Sequence, residues 1–333
     1  MERRTNKTNK VFIVGGAGFI GSHFVDHLLS QASIEKVTVY DNFSSGQKWH
    51  LAQHMGNERF ALIKGDIGQL DSLQEAMVGH DTVIHLASNS DIAAAVKNPA
   101  IDFEQGTKLT HNVVEAMRIA GVPRILYASG SGIYGDVGAV EVPEDHGPLV
   151  PISTYGASKL AGEALISAYA HMFDMSGIVF RFGNVVGSRQ THGVGLDFIR
   201  KLKGNPKQLT ILGDGQQSKS YVYISDIINA VLLANEKIDS PFAAFNVATG
   251  DYITVIEIAK IAIKKVIGDL NKVEFVFTGG DRGWKGDVPV VRLDTKKIRK
   301  LGWHCQHNCA QAIERSIEEM LKQTGEAAVA SSI

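Results

Sequence analysis

Short apolar runs and amphipathic segments alternate along the first half of the chain. Runs rich in β-formers begin at Val11 (VFIVG), Lys36 (KVTVYD), Phe60 (FALIKGD), Asp81 (DTVIHLA), Arg124 (RILYAS) and Gly177 (GIVFRF). Between them, residues 21–30, 71–78, 102–120 and 154–171 place apolar side chains at helical spacing. Continuous apolar strands joined through helices predict a parallel sheet covered on both faces. Right-handed crossovers then make it a doubly wound α/β fold.

Beyond residue 181 the rhythm changes. GNVVGSRQTHGVG is loop-like, LTILGDGQQSKSYVYISD reads as a short strand, a turn and a second extended piece, and FNVATG at 245–250 reads as a strand returning to the sheet. The expected organisation is a main domain over 10–182, to which 226–250 returns. A smaller α/β lobe is expected from 183–225 and 251–325, over the carboxyl edge of the sheet. A last helix from Ala310 is expected to take Asn308 as its cap, and the tail from residue 325 to fray.

Composition narrows the class of function. The 333 residues are 44% hydrophobic and 21% charged, with a formal net charge of −1. No global field draws nucleic acid or an anionic membrane, so neither is expected as a partner. MERRTNKTNK has no apolar core of a signal peptide, and no apolar stretch reaches membrane-spanning length. The two cysteines, Cys305 and Cys309, exclude a disulfide scaffold and point to a reducing cytoplasm. They lie in HCQHNC, whose four candidate ligands are too closely spaced to wrap one tetrahedral ion, so no metal is expected.

The first strand runs into a glycine-rich turn. Gly15, Gly16, Gly18 and Gly21 stand between the strand and the helix that follows. Such glycines allow a tight turn and close approach of backbone to a pyrophosphate, and the helix N-terminus favours the anion. Asp41 closes the second strand about twenty residues on, where a carboxylate accepts from ribose hydroxyls and repels a 2′-phosphate. Strand, turn, helix and acid together predict a Rossmann-type domain binding NAD rather than NADP.

Further along, Tyr155 and Lys159 are four residues apart in STYGASKLAGEAL and share one helix face. A free tyrosine ionises near pH 10, too high for a base at neutral pH (roughly 10). A neighbouring ammonium is expected to lower it. The fifth strand ends in ASGSGIYG, which brings Ser129 and Ser131 to the same edge of the sheet.

The glycine turn, DNFSSG, GD at 65–66, HLAS, IYG and YGASK occur in that order. This resembles the extended short-chain dehydrogenase/reductase superfamily, and within it the nucleotide-sugar epimerase/dehydratase family, over residues 10–325. The resemblance implies a hydride cycle on tightly held NAD, with Tyr155 taking the proton of the sugar 4-hydroxyl and Lys159 supporting it. It implies cofactor contacts from Gly15, Gly18, Phe19, Ile20 and Gly21, from Asp41, Asn42, Ser45 and Gly46, and from Asp66 and Ile67 beside the adenine. Leu86, Ala87 and Ser88 would line the cofactor beyond the fourth strand. Asn184 matches an asparagine that contacts the substrate diphosphate. Relatives pair into homodimers through two long helices, here 102–120 and 154–171.

Several positions depart from the family pattern. The catalytic Ser or Thr usually stands four residues before the tyrosine of IYG, where this chain has Gly130. Ser129 or Ser131 must then serve, or neither, and Ser129 is favoured because it ends the strand. A phosphate-binding arginine appears as Lys219. Another, expected just before GD, is replaced by Trp284, with Arg282 two residues earlier read as the diphosphate ligand. Dehydratases and UDP-glucuronate decarboxylases carry carboxylates after the catalytic hydroxyl, where this chain has Ser131 and Gly132. Their absence favours 4-epimerisation of UDP-glucose or UDP-N-acetylglucosamine. Dehydration, decarboxylation and 4-reduction on the same scaffold are the alternatives. A small Val291, four residues after the GD aspartate, leaves room for an N-acetyl group. A redox-inactive NAD-binding sensor is the non-enzyme alternative, which the presence of both Tyr155 and Lys159 disfavours.

Overall fold

The computed structural model describes residues 8–330. Seven parallel strands form the central sheet: β1 (Lys10–Val14), β2 (Lys36–Asp41), β3 (Phe60–Lys64), β4 (Thr82–His85), β5 (Arg124–Gly130), β6 (Ser176–Phe182) and β7 (Phe242–Val247). Their spatial order is β3-β2-β1-β4-β5-β6-β7. The order reverses at β1, which pairs Val14 with both Tyr40 and His85. Loops leaving β1 and β4 therefore diverge there and open a crevice, the usual ligand position in such sheets.

The strands read as unbroken apolar runs because both faces are covered. Val11 and Ile13 enter one core with Val37, Val39 and Phe180. Phe12 and Val14 enter the other with Tyr40, Val83 and Tyr127. Helices α1 (Phe19–Ser30) and α6 (Ile224–Lys237) cover the first face through Phe24, Leu28, Ile227 and Val231. Helices α2 (Leu70–Met77), α3 (Lys108–Ala120) and α4 (Thr154–Met172) cover the second through Leu73, Val113, Met117 and Ile166.

One helix differs from its sequence pattern. The segment expected to be a helix over 102–120 is helical throughout but contains a π turn, Phe103–Thr107, before α3 begins. Gly106 lies in that turn against α4, where a Cβ would stand 2.6 Å from Ser158 Oγ. Close packing of the two segments, which apolar spacing does not encode, thus accompanies the extra residue in the turn.

The second half returns one strand to the sheet. β7 pairs in parallel with β6, from Phe242 opposite Gly177 to Val247 opposite Phe182. The rest is built from two-strand pairs: 184–186 with 221–223, 208–211 with 274–277, 218–219 with 253–254, and 141–142 with 292–293. Helices α5 (Val194–Gly204) and α7 (Val255–Val266) pack here with the last helix, Cys309–Ala330, through Leu202, Ile263 and Ile317. Asn308 caps that helix: its Oδ1 accepts from Gln311 N at 2.9 Å, and Gln311 Oε1 accepts from Asn308 N at 3.0 Å. The helix runs to Ala330, so 325–330, expected to fray, continue it. Alanine and glutamate there are strong helix formers. Residues 331–333 lie outside the described residues.

Candidate active site

A cavity of about 1010 Å³ runs along the carboxyl edge of the sheet. The glycine turn forms one wall, and its geometry leaves no room for side chains. Gly15 holds φ +82°, and a Cβ on it would lie 2.8 Å from Ala87 N; one on Gly21 would lie 2.5 Å from Gly15 O. Gly18 precedes α1 with no side-chain cap, so the first N–H groups of the helix are left to an anion. Phe19 and Ile20 line the cavity beside them.

Asp41 ends β2 at the same wall. Its Oδ2 accepts from Ala17 N at 2.9 Å and its Oδ1 from Phe43 N at 2.8 Å, leaving lone pairs toward the cavity. Burial pushes its carboxyl upward and these two N–H groups pull it down. Asn42, Ser45, Asp66 and Ile67 continue the wall, as do Leu86, Ala87 and Ser88 after β4. Gly46 lies behind it: a Cβ there would meet Ala17 Cβ and Asp41 Oδ1, both at 2.9 Å. It shapes the wall from beneath rather than facing the cavity. A bare glycine turn, an uncapped helix start and a carboxylate at the end of β2 fit a dinucleotide.

Tyr155 and Lys159 occupy the first turns of α4, which Ser153 caps by accepting from Gly156 N at 3.1 Å. Lys159 Nζ donates to Ala128 O at 2.8 Å and lies 5.5 Å from the centre of the Tyr155 ring. Tyr155 and Ser88 line the cavity together. Burial pushes Tyr155 up to about 12, Ser88 pulls it down and Asp102 pushes it further up. Burial lowers Lys159 to about 8, against the pull of Asp102 and Glu163. The expectation that the ammonium lowers the tyrosine is thus not met by the protein alone. Desolvation dominates, and the lysine donates to a backbone carbonyl instead of the phenol.

The two serines part company. Ser129 is 5% exposed and its hydroxyl donates to Glu163 Oε1 at 2.5 Å. Glu163 in turn pairs with buried Arg181 at 2.9 Å. Strand-end fixation, the reason for favouring Ser129, commits its hydroxyl to this internal network. Ser131 opens a short helical turn, lines the cavity and meets no hydrogen-bond partner among the described residues. The geometry therefore corrects the preference from Ser129 to Ser131. Gly130, where a Cβ would have nothing within 4 Å, leaves open space between them.

On the opposite wall, Asn184, Lys219 and Val291 line the cavity. Lys219 Nζ pairs with Asp287 Oδ1 at 2.6 Å. Arg282 is not part of the lining. Its guanidinium donates to Asp136 Oδ2 at 2.7 Å and to Asp287 O at 3.0 Å, drawing it away from the cavity that Trp284 faces. As placed, it binds the loop and not a ligand. The cysteines lie apart: burial pushes Cys305 up to about 12 and Cys309 to about 11. No group of three or more His, Cys, Asp or Glu that could hold a metal is found among the described residues.

Sequence reasoning overlooked Glu163 and Asp102. Glu163 follows Lys159 by one turn on the same apolar helix face, a signal that was available. Asp102 carries no local signature, because its partners come from residues 89 and 154.

Fold and site define a nicotinamide-dinucleotide enzyme of the short-chain dehydrogenase type. A family model described as "NAD dependent epimerase/dehydratase family" matches residues 11–248. The chain belongs to that family, and NAD is its cofactor. It is 30% identical to a UDP-glucose 4-epimerase of Mycolicibacterium smegmatis over 93% of this chain and 97% of that one. A crystal structure of a UDP-galactose 4-epimerase is 36% identical, with a TM-score of 0.82 over 94% of this chain and 99% of that one. A dTDP-glucose 4,6-dehydratase from Streptomyces venezuelae, with NAD and TYD bound, is 26% identical. Its TM-score is 0.86 over 95% of this chain and 98% of that one.

Proposed function

We propose that this protein interconverts UDP-hexoses at carbon 4, with Tyr155 as the base. The observation that carries this reading is the Tyr155–Lys159 pair at the carboxyl edge of β5, with Ser131 and Gly132 beside it and no carboxylate in that turn. Dehydration and decarboxylation need further acid–base groups near the sugar ring; this turn supplies a single hydroxyl.

NAD, when bound, supplies the acceptor and later donor of hydride. The glycine turn and Asp41 hold it against the crevice between β1 and β4. Tyr155 takes the proton of the 4-hydroxyl as carbon 4 is oxidised, and Ser131 donates a hydrogen bond to the 4-oxygen. Lys159 supplies the positive charge that favours the phenolate. After the 4-keto sugar turns over, Tyr155 returns its proton to the same oxygen as the opposite face is reduced. Residues 10–182 with 226–250 hold the cofactor, and 183–225 with 251–325 hold the sugar nucleotide. Asn184 and Lys219 face the diphosphate there. Val291 leaves space for an N-acetyl group, so UDP-N-acetylhexosamines are substrates too.

The protein works in the cytoplasm as a homodimer through α3 and α4, whose surfaces expose Ile119 and Met172, with Phe173 just beyond α4. Among the described residues no helix is long and apolar enough to cross a membrane. The test is a panel of UDP-, dTDP- and GDP-sugars incubated with the protein, with products resolved by NMR. Carbon-4 epimers of the UDP-sugars are expected. A 4-keto-6-deoxy sugar or a pentose would overturn epimerisation. Bound NAD with no turnover of any sugar would favour a sensor.

A further inference from the structure

A third charged group lies beside the Tyr155–Lys159 pair. Asp102, the helical residue immediately before the π segment, is 1% exposed. Its two carboxylate oxygens reach two different segments: Oδ1 accepts from Asn89 Nδ2 at 2.9 Å and Oδ2 from Thr154 Oγ1 at 2.6 Å. Asn89 directly follows Ser88, and Thr154 directly precedes Tyr155. Asp102 therefore bridges the segment that carries Ser88 to the segment that carries Tyr155, and Ser88 pulls the Tyr155 phenol down.

The bridge is anchored at both ends. Asn89 also donates to Asp91 O at 2.8 Å and accepts from Asp91 N at 2.9 Å. One turn beyond Asp102, Gly106 abuts Ser158 so tightly that a methyl group would not fit, which prevents the segment from sliding along α4. Two neutral donors offset only part of the cost of burying a carboxylate. Its charge acts on Lys159 and Tyr155, both of which Asp102 shifts upward.

We propose that Asp102 is a positioning residue for proton transfer: it clamps the segment carrying Ser88 to the segment carrying Tyr155, and it sets a fixed negative charge beside the Tyr155–Lys159 pair. The inference rests on reading Tyr155 as the base. The other groups facing the pair are Glu163 from α4, Tyr127 from β5 and His85 from β4. Burial, with Lys159 adding to it, lowers His85 to about 3, so it carries no charge at working pH. Burial pushes Tyr127 upward, so it stays protonated. Asp102 and Glu163 are the carboxyl groups facing the pair. Only Asp102 shifts Tyr155 directly; Glu163 acts on Lys159.

The test is a spectrophotometric titration of tyrosinate in the NAD-loaded protein, taking the component that disappears in Tyr155→Phe. Asp102→Asn removes the charge and keeps both contacts, its amide oxygen accepting from Asn89 Nδ2 and its NH2 donating to Thr154 Oγ1. It is expected to lower the Tyr155 midpoint by about one unit. Asp102→Ser is expected to move it the same way, and it reads the charge should the asparagine variant fail to fold. Thr154→Val keeps the charge and opens the clamp, and is expected to lower kcat about tenfold with KM little changed. A midpoint unmoved in both Asp102 variants overturns the electrostatic role, and a normal kcat in Thr154→Val overturns the clamp. The titration needs no sugar. A shifted midpoint without turnover of UDP-hexoses would retire the epimerase reading and leave the electrostatic role of Asp102 standing.

Discussion

The two walls of the cavity are built by different means. The cofactor wall is backbone and sheet edge: Gly15 and Gly21 touch neighbouring main chain so closely that no other residue fits, and Asp41 is tied to two N–H groups. The substrate wall is assembled from strands of two or three residues and a loop, and its charges already satisfy one another. Lys219 pairs with Asp287, and Arg282 pairs with Asp136. One wall is therefore preorganised for an anion by fixed dipoles. On the other, an arriving diphosphate must compete with internal ion pairs. Rigidity at the first wall and exchangeable pairs at the second suit an enzyme that keeps its cofactor and releases its sugar nucleotide.

The strongest way to break this comparison is at the rigid wall. Gly15→Ala places a methyl group against Ala87 at a positive φ and is expected to abolish retained NAD, read from the absorbance of cofactor released from purified protein. Full NAD content would show that the wall yields. Tyr155→Phe should retain NAD while kcat falls by about 10²–10⁴-fold, the span of general acid–base catalysis, followed by NMR of epimer exchange.

Lys159→Met sharpens the contrast between function and stability. The lysine is lowered from 10.5 to about 8 on folding, so the unfolded chain binds the proton more tightly. The sign follows: this destabilisation is full below pH 8 and is relieved as pH rises toward 10.5. The variant should lose turnover yet unfold at higher denaturant at pH 7, by up to about 3 kcal/mol. A lower midpoint would contradict the burial cost.

Smaller effects separate the serines and the substrate-wall charges. Ser129→Ala removes a donor from buried Glu163 and should cost about 1–3 kcal/mol of stability with little change in kcat. Ser131→Ala should lower kcat about tenfold with stability unchanged, as loss of one hydrogen bond in the transition state. The reverse pattern would return the role to Ser129. Lys219→Ala should raise KM about tenfold at constant kcat, and Arg282→Ala by less than about threefold. An equal rise for both would mean that Arg282 leaves Asp136 to meet the diphosphate.

Spacing along the chain was enough for much of this. Gly15, Gly18, Gly21 and Asp41 are recognisable because a strand, a turn and a helix fix their relations within thirty residues. Tyr155 and Lys159 are recognisable because one helical turn separates them. The sheet was legible because β-branched residues fill strands buried on both faces. The π turn before α3 was not legible, since apolar spacing continues through it.

What the sequence determined by itself were local quantities: the order of strands and helices, the bare glycine turn, the acid at the end of β2 and the tyrosine–lysine pair. Each depends on residues near one another in the chain, whose geometry a regular element fixes. Only the tertiary structure decided which serine keeps a free hydroxyl, where Arg282 points, and that Asp102 lies beside Tyr155. Each of those depends on a partner far away in sequence: Glu163 for Ser129, Asp136 for Arg282, Asn89 and Thr154 for Asp102. A side chain's chemistry is set by what it meets, and those meetings exist only once the sheet has brought its loops to one edge.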